Sequence, residues 1–294
     1  MKQNHLSLIK LTSAMITFGT IGIFRKYIDL PSSMIAMARG LGGMLFLLAV
    51  ILIGRKKCSR ETIKKNAPLL LLSGTFIGFN WILLFEAYRY TTIATATLCY
   101  YMAPVIVIIA SPFLLHERLT IKKAICVLCS LCGITLVSGI FSPSSAASAT
   151  DPRGILLGLG AAVLYATVVL MNKFIKDIGA IDKTIVQLGS AGAVMIPYLF
   201  ITENVTQIEY TSTSLIFLAI VAIVHTGIAY TFYFGSIGHL PAQTVAIFSY
   251  IDPVVAIVLA ALIFHESMSI LSAVGAALIL GATLCAEIKL PRKK

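Results

Sequence analysis

The sequence predicts an all-α integral membrane protein of ten transmembrane helices arranged as two inverted five-helix repeats, and three observations predict it. First, 58% of the 294 residues are hydrophobic and only 12% are charged, against roughly a quarter charged in ordinary globular chains. Second, the apolar residues fall in runs of about 20, the length a helix needs to cross a hydrocarbon core of ~30 Å at 1.5 Å per residue. Third, the chain matches itself when its halves are slid over one another. A soluble fold is excluded, and ten spans leave no stretch for an appended enzyme or DNA-binding domain.

The spans are expected near residues 8–25, 33–54, 68–88, 93–115, 121–140, 154–172, 184–202, 213–236, 241–264 and 270–288. Each is an apolar run bounded by charges or by Pro, Gly and Ser. The first follows Lys2 and Lys10 as a signal peptide would, but no clean cleavage site precedes Arg25 and Lys26, so it is read as a retained span. In the fifth, Cys126, Cys129 and Cys132 recur every three residues without His or acidic company. They read as small hydrophobes, and no metal is expected. Residues 142–151 (SPSSAASATD) are polar and lie at the midpoint of the chain. The expected organisation is a first repeat over 1–141, a linker over 142–153 and a second repeat over 154–294.

Charge placement gives the orientation. Placing the N-terminus in the cytoplasm puts eighteen basic residues inside, in the groups Lys2 and Lys10, Arg55 to Lys65, Arg118 to Lys123, Lys173 to Lys183, and Lys289 to Lys294. Only Arg25, Lys26, Arg89 and Arg153 fall outside. Because cytoplasmic loops carry the excess of Lys and Arg, both termini are expected in the cytoplasm of an inner-membrane protein. The net charge of +11 is thereby explained by topology, and no nucleic acid is expected as a partner.

An offset of 149 superimposes Tyr101, Pro104, Val105, His116 and Glu117 on Tyr250, Pro253, Val254, His265 and Glu266, and Trp81 and Phe85 on Tyr230 and Phe234. An offset of 147 aligns Lys26-Tyr27 with Lys173-Phe174. Five spans per half is an odd number, so the second half enters from the opposite side. Such inverted repeats are the architecture of secondary transporters, in which related halves exchange inward-open and outward-open shapes.

These residues give the chain its likeness to a known family. The paired segments Tyr101 to Val105 and Tyr250 to Val254 are each followed by a membrane-edge motif, His116-Glu117-Arg118-Leu119-Thr120 and His265-Glu266-Ser267-Met268-Ser269. Together with Arg39-Gly40, Asn80-Trp81 and Phe85 to Tyr88, they resemble the drug/metabolite transporter superfamily, specifically its EamA-type ten-span members, over essentially the whole chain. The resemblance implies two inverted bundles around a cavity lined mainly by spans one, three, four, six, eight and nine. It also implies a small organic metabolite as cargo, such as an amino acid, nucleotide precursor, sugar or drug, often moved outward.

Polar groups inside the spans are the candidate functional residues, since a charge at mid-helix costs about 2.5–3.5 kcal/mol on insertion scales. Asp252 lies ~16 Å into the ninth span, near the bilayer midplane, where the other half has Ala103. It is a candidate cation or proton carrier, or else a structural partner beside Pro253. Arg39 offers a planar fork for a carboxylate or phosphate. Alternatively it snorkels or pairs, with Glu86 as the expected partner. His225, opposite Phe76 in the repeat, is either a relay with Asp252 or a satisfied packing residue. Trp81, Tyr101, Tyr230 and Tyr250 sit at mid-depth as an aromatic group suited to clamping a substrate, with Asn80 beside them. Tyr88 and Tyr100 are further candidates, each with an alternative: the first as an interface residue, the second as one facing another helix. Pro104 and Pro253 are expected to kink their spans and free backbone carbonyls. Glu117 and Glu266 read as turn residues, with Thr120 and Ser269 as caps of the following helix.

No P-loop, no zinc-protease His-Glu-x-x-His and no Gly-x-Ser-x-Gly elbow occurs in the sequence, so no catalytic residue and no cofactor is expected. The leading expectation is a secondary exporter of metabolites, with protons as a possible coupling ion and the lipid bilayer as its surroundings. An uptake carrier or exchanger is the alternative, ahead of a passive channel or an intramembrane enzyme.

Overall fold

The computed structural model describes residues 2–55, 59–91, 96, 99–137, 151–264 and 270–287. Most of the 142–153 linker, the His265 to Ser269 motif with Glu266, and the basic tail from Lys289 lie outside them. The described residues form helices α1 (Lys2–Arg25), α2 (Ser32–Ile53), α3 (Arg60–Tyr90), α4 (Ala103–Leu115) and α5 (Ile121–Val137). In the second half they form α6 (Pro152–Met171), α7 (Ala180–Thr202), α8 (Ser212–Ile237), α9 (Ala242–Phe248), α10 (Ile251–Phe264) and α11 (Ile270–Glu287). Six of these, α1, α2, α3, α6, α7 and α8, contain stretches long and apolar enough to cross a membrane. Shorter apolar stretches occupy the remaining span positions at Ala103–Leu115, Ala242–Ala256 and Ala273–Ala282.

Local chemistry sets several boundaries. Asp151 accepts a hydrogen bond from the Arg153 N–H at 2.8 Å, and Pro152 opens α6 in the position where its missing N–H costs nothing. Thr211 caps α8 by accepting from the Ser214 N–H at 3.2 Å. The third helix begins at Arg60 rather than near 68 because its first two turns carry Glu61, Lys64 and Lys65, which a window tuned to apolar runs leaves out.

Helix pairing follows the repeat. α3 packs on α6 as α8 packs on α1; α3 packs on α7 as α8 packs on α2; α4 packs on α6 as α10 packs on α1. The pairs α2–α7, α4–α9 and α5–α11 each join a span to its own counterpart. These pairs map onto one another under exchange of the halves, as a two-fold pseudo-axis requires. Between α1 and α10 the backbones nearly touch: a Cβ on Gly19 would lie 2.6 Å from the Asp252 carbonyl oxygen. Outward-facing Leu52, Ile53, Phe113, Leu156, Ile201 and Leu284 are exposed on the surface that lipid covers.

The expected kinks are breaks. Spans four and nine are interrupted at Tyr101-Met102 and at Ser249-Tyr250, so Pro104 stands in the first turn of α4 and Pro253 in the first turn of α10. A proline in a first helical turn removes no hydrogen bond. The chain stops and restarts just upstream of each.

Candidate functional site

A cavity of about 280 Å³ sits on the pseudo-axis. Symmetry-related positions face each other across it: Trp81 and Tyr230, Leu84 and Tyr233, Tyr100 and Ser249, and Ala103 and Asp252 at the offset of 149, with Phe18 and Tyr165 at 147. Met15, Ile21, Arg39, Phe85, Tyr88, Tyr101 and Pro104 complete the wall from the first half.

The aromatic rings form a connected box. Phe18 meets Tyr230 edge-on at 5.1 Å between centroids, and Tyr230 lies 6.4 Å from Tyr233. Tyr165 stacks on Tyr233 at 6.4 Å, and their hydroxyls share a hydrogen bond of 2.5 Å. The Tyr165 hydroxyl also reaches Ser249 Oγ at 3.4 Å. These geometries fall within the 4.5–7 Å range in which aromatic pairs attract. Much of the wall is thus aromatic ring surface, with the Tyr165, Tyr233 and Ser249 hydroxyls linked to one another.

Two charged side chains face this box. Asp252 lines the cavity from α10, with Tyr101 and Arg39 in the same wall. Arg39 lies with its guanidinium carbon 5.3 Å above the Trp81 ring, a cation–π distance, while its Nε donates to Thr226 Oγ1 at 3.1 Å. A guanidinium and a carboxylate therefore line one compartment.

Other expected site residues fall elsewhere. Arg39 and Glu86 do not form the expected pair: Glu86 is taken by Arg89 at 3.1 Å and by the Tyr198 hydroxyl at 2.6 Å. The two sit at different depths, and Thr226 and Trp81 reach Arg39 first. His225 is 1% exposed and its Nε2 bonds Thr20 Oγ1 at 2.8 Å. It lies outside the cavity wall and forms no relay with Asp252. Asn80 Nδ2 donates to the Ala161 carbonyl at 2.6 Å and ties α3 to α6. Tyr250 is fully buried and donates to the Tyr101 carbonyl at 3.0 Å. That bond bridges the halves behind the cavity wall, so Tyr101 lines the site while its counterpart supports it.

The residues missed from sequence are Tyr165, Tyr233, Phe18 and Ser249. The internal alignment carries a signal for them, because each falls opposite another wall residue at the same offsets that pair Trp81 with Tyr230.

The two ends of the bundle differ. Toward the end bearing Glu86 and Glu203, Phe85 and Tyr88 line both the cavity and a recess of about 410 Å³. Toward the end bearing Lys173, Tyr233 and Phe234 are 2% and 1% exposed and form a packed layer. Beyond that layer opens a vestibule of about 880 Å³ lined by Lys10, Lys173 and Lys183 among others. Bonds between elements draw this end together. Glu117, just after α4, accepts from the Ala242 N–H at 2.8 Å and the Gln243 N–H at 3.4 Å at the start of α9. Gln243 Nε2 donates to Ser111 Oγ at 2.8 Å. Lys173 Nζ donates to the Ile237 carbonyl at 3.0 Å and to that of Leu240. Burial lowers the pKa of the Lys173 ammonium, and the charge of Glu117 offsets part of that.

Comparison with known proteins adds four findings. The model of the EamA-like transporter family matches residues 5–139 and again 152–287. An uncharacterized transporter, YxxF, of Bacillus subtilis is 30% identical over 258 residues, 88% of this chain and 82% of that protein. Protein RarD of Salmonella typhi is 24% identical over 274 residues, covering 90% and 88% of the two chains. A solved crystal structure superimposes with a TM-score of 0.83 at 18% identity, over 96% of each chain, which is a likeness of fold.

Proposed function

The chain belongs to the EamA-like transporter family, and from that premise we propose that it is a secondary exporter of small organic metabolites, amino acids or closely related compounds, working by alternating access between its two halves. The observation that carries this reading is that Arg39 and Asp252 line one aromatic cavity. A substrate with a carboxylate at one end and an ammonium at the other satisfies both charges, each of which is costly to leave unpaired in the membrane. The rings of Phe18, Trp81, Tyr165 and Tyr230 then sandwich its apolar part.

The cavity adjoins the recess at the Glu203 end and is sealed from the Lys173 end by Tyr233, Phe234 and the Glu117 bonds. With the Lys-rich end in the cytoplasm, as the basic-residue count argues, this is the outward-facing state. Export then runs as follows. The layer of Tyr233 and Phe234 parts, substrate enters from the cytoplasmic vestibule, and the halves rock until the arrangement seen here releases it outside. Asp252 accepts either the substrate ammonium or a proton, and the two compete for it, which couples outward cargo movement to inward proton movement. The chain moves its substrate without altering it.

Reconstitution tests the reading. Purified protein in proteoliposomes loaded with L-amino acids exchanges them with labelled amino acid outside, saturably and faster when cargo is present on the far side. Flux that rises linearly with concentration and ignores cargo on the far side indicates a channel and overturns the proposal. Identical behaviour with the gradient reversed marks the uptake-carrier or exchanger alternative.

A further inference from the structure

The eighth span contains one irregular stretch, and it lies beside the cavity arginine. Over Val221–Ile228 the helix is π-wound, each N–H bonding five residues back instead of four. One extra residue per turn rotates the chain downstream relative to an unbroken α-helix. Two neighbouring side chains thereby reach two different helices. His225 turns to α1 and bonds Thr20 at 2.8 Å, and Thr226 turns to α2 and accepts from Arg39 Nε at 3.1 Å. The Thr226 hydroxyl donates in turn to the Val221 carbonyl, five residues back, at 3.2 Å. Thr226 is fully buried, and its neighbours allow no slack: a Cβ on Gly43 would meet Thr226 Cγ2 at 3.1 Å, and one on Gly227 would meet Phe46 at 2.7 Å.

This contact breaks the repeat on both sides. Thr226 falls opposite Ile77, which has no hydroxyl, and Arg39 falls opposite an uncharged stretch at Val186, Gln187 and Leu188. In the first half, α3 has no π-wound segment around Ile77.

We infer that Thr226, held by the π-wound turn, is the positioning residue that orients Arg39, and so sets the preference of the site for substrates carrying a carboxylate. The geometry gives the reason. Arg39 has five N–H donors in a rigid plane. Thr226 takes the inner one at Nε and Trp81 supports the face. The two terminal nitrogens then present a two-pronged donor edge, the arrangement that binds carboxylate bidentately. Without the Thr226 hydroxyl the guanidinium loses its inward anchor and pivots about its stem. The inference rests on the proposed reading only for the identity of the anion; the placement of Arg39 is separate and is tested separately.

Trp81 is the sole tryptophan in the sequence and lies under the Arg39 guanidinium, so its fluorescence reports on that cation directly. Iodide, an anionic quencher drawn to the guanidinium, and acrylamide, a neutral one, are titrated into purified ligand-free protein. Wild type, Arg39→Gln, Thr226→Val and Thr226→Ser are compared. Thr226→Val is expected to lower iodide quenching most of the way to the Arg39→Gln value with acrylamide quenching unchanged, and Thr226→Ser to restore it. Iodide quenching of Thr226→Val equal to wild type overturns the inference. So does an equal change in acrylamide quenching, which marks Thr226 as packing only.

Binding of L-amino acids and of their α-amides, followed by the same fluorescence, reads the carboxylate preference. Thr226→Val is expected to weaken the acids roughly tenfold, the scale of a charge-assisted hydrogen bond, and to leave the amides unchanged. Equal weakening of both overturns the claimed preference. Should no amino acid bind wild type while the iodide contrast holds, the substrate reading fails and the positioning of Arg39 by Thr226 stands.

Discussion

At the pseudo-axis the two halves offer the same positions with different chemistry. The first half brings Phe18, Trp81, Leu84 and Ala103 to the cavity; the second brings Tyr165, Tyr230, Tyr233 and Asp252 to the matching places. At these four pairs the first half offers hydrocarbon and indole where the second offers hydroxyls and a carboxylate, while Tyr88, Tyr100 and Tyr101 add the first half's own hydroxyls elsewhere on the wall. The first half supplies its one charge, Arg39, from a span whose counterpart contributes none. Divergence at a handful of wall positions thus gives a site built on duplicated backbones its polarity. A perfectly symmetric cavity of this kind would hold two like groups facing each other, which suits no substrate with distinct ends.

The comparison breaks most sharply at Asp252. Asp252→Asn removes the carboxylate and makes the position neutral like Ala103 in the first half. On the proposed reading the substrate ammonium and a proton both lose their acceptor, so exchange in proteoliposomes is expected to fall roughly a hundredfold or more, the equivalent of about 3 kcal/mol. Thermal unfolding should stay close to wild type, since the Asp252 side chain faces the cavity and not the packed core. Neutralising the other pole follows. Arg39→Gln is expected to weaken carboxylate-bearing substrates by about 1.5–3 kcal/mol, read as a raised KM, and to spare the corresponding amides.

The two ends of the bundle give the next contrast. Glu117→Gln retains the turn but loses the charge that holds the Ala242 and Gln243 N–H groups. A cap of this kind contributes about 1 kcal/mol, enough to move the balance between outward- and inward-facing states several-fold. Spin labels at Leu119 and His239 are expected to show a longer, broader distance distribution in the variant. An unchanged distribution means the seal rests on the tyrosine layer alone. At the α1–α10 contact, Gly19→Ala forces a methyl against the Asp252 carbonyl and is expected to cost about 1–3 kcal/mol of stability. The smallest effect belongs to Tyr250. Tyr250→Phe loses one bond to the Tyr101 carbonyl, about 0.5–1.5 kcal/mol, and should lower the melting temperature slightly while leaving substrate affinity alone. Tyr101→Phe, on the cavity side of the same contact, should do the reverse.

What the sequence made legible follows from where its information lies. Hydrocarbon demands long apolar runs, so the spans were readable, and charges at their ends marked most boundaries. The repeat was readable because Tyr, Pro and Glu recur at one offset. Depth along a span was readable too, which is why Asp252, Arg39, Trp81, Tyr101 and Tyr230 were found. Rotation about the span was not. In a helix apolar on all sides no periodicity separates the face toward a cavity from the face toward a neighbour. Tyr250 and His225 fall behind the wall, while Asn80 lines a small pocket beside the cavity, with Trp81, Tyr165 and Tyr230. The π-wound turn at Val221–Ile228 was illegible for the same reason: one inserted residue leaves no mark on a uniformly apolar pattern. The breaks before Pro104 and Pro253 were read as kinks because proline signals a departure from the helix without saying whether the chain bends or restarts.

The most direct test of the central claim is counterflow across proteoliposomes of purified protein, comparing wild type with Asp252→Asn and Arg39→Gln on the same amino-acid panel. The account predicts saturable exchange by wild type, accelerated by cargo on the far side, abolished by the first substitution and selectively weakened for carboxylates by the second. Equal exchange by all three proteins would contradict it.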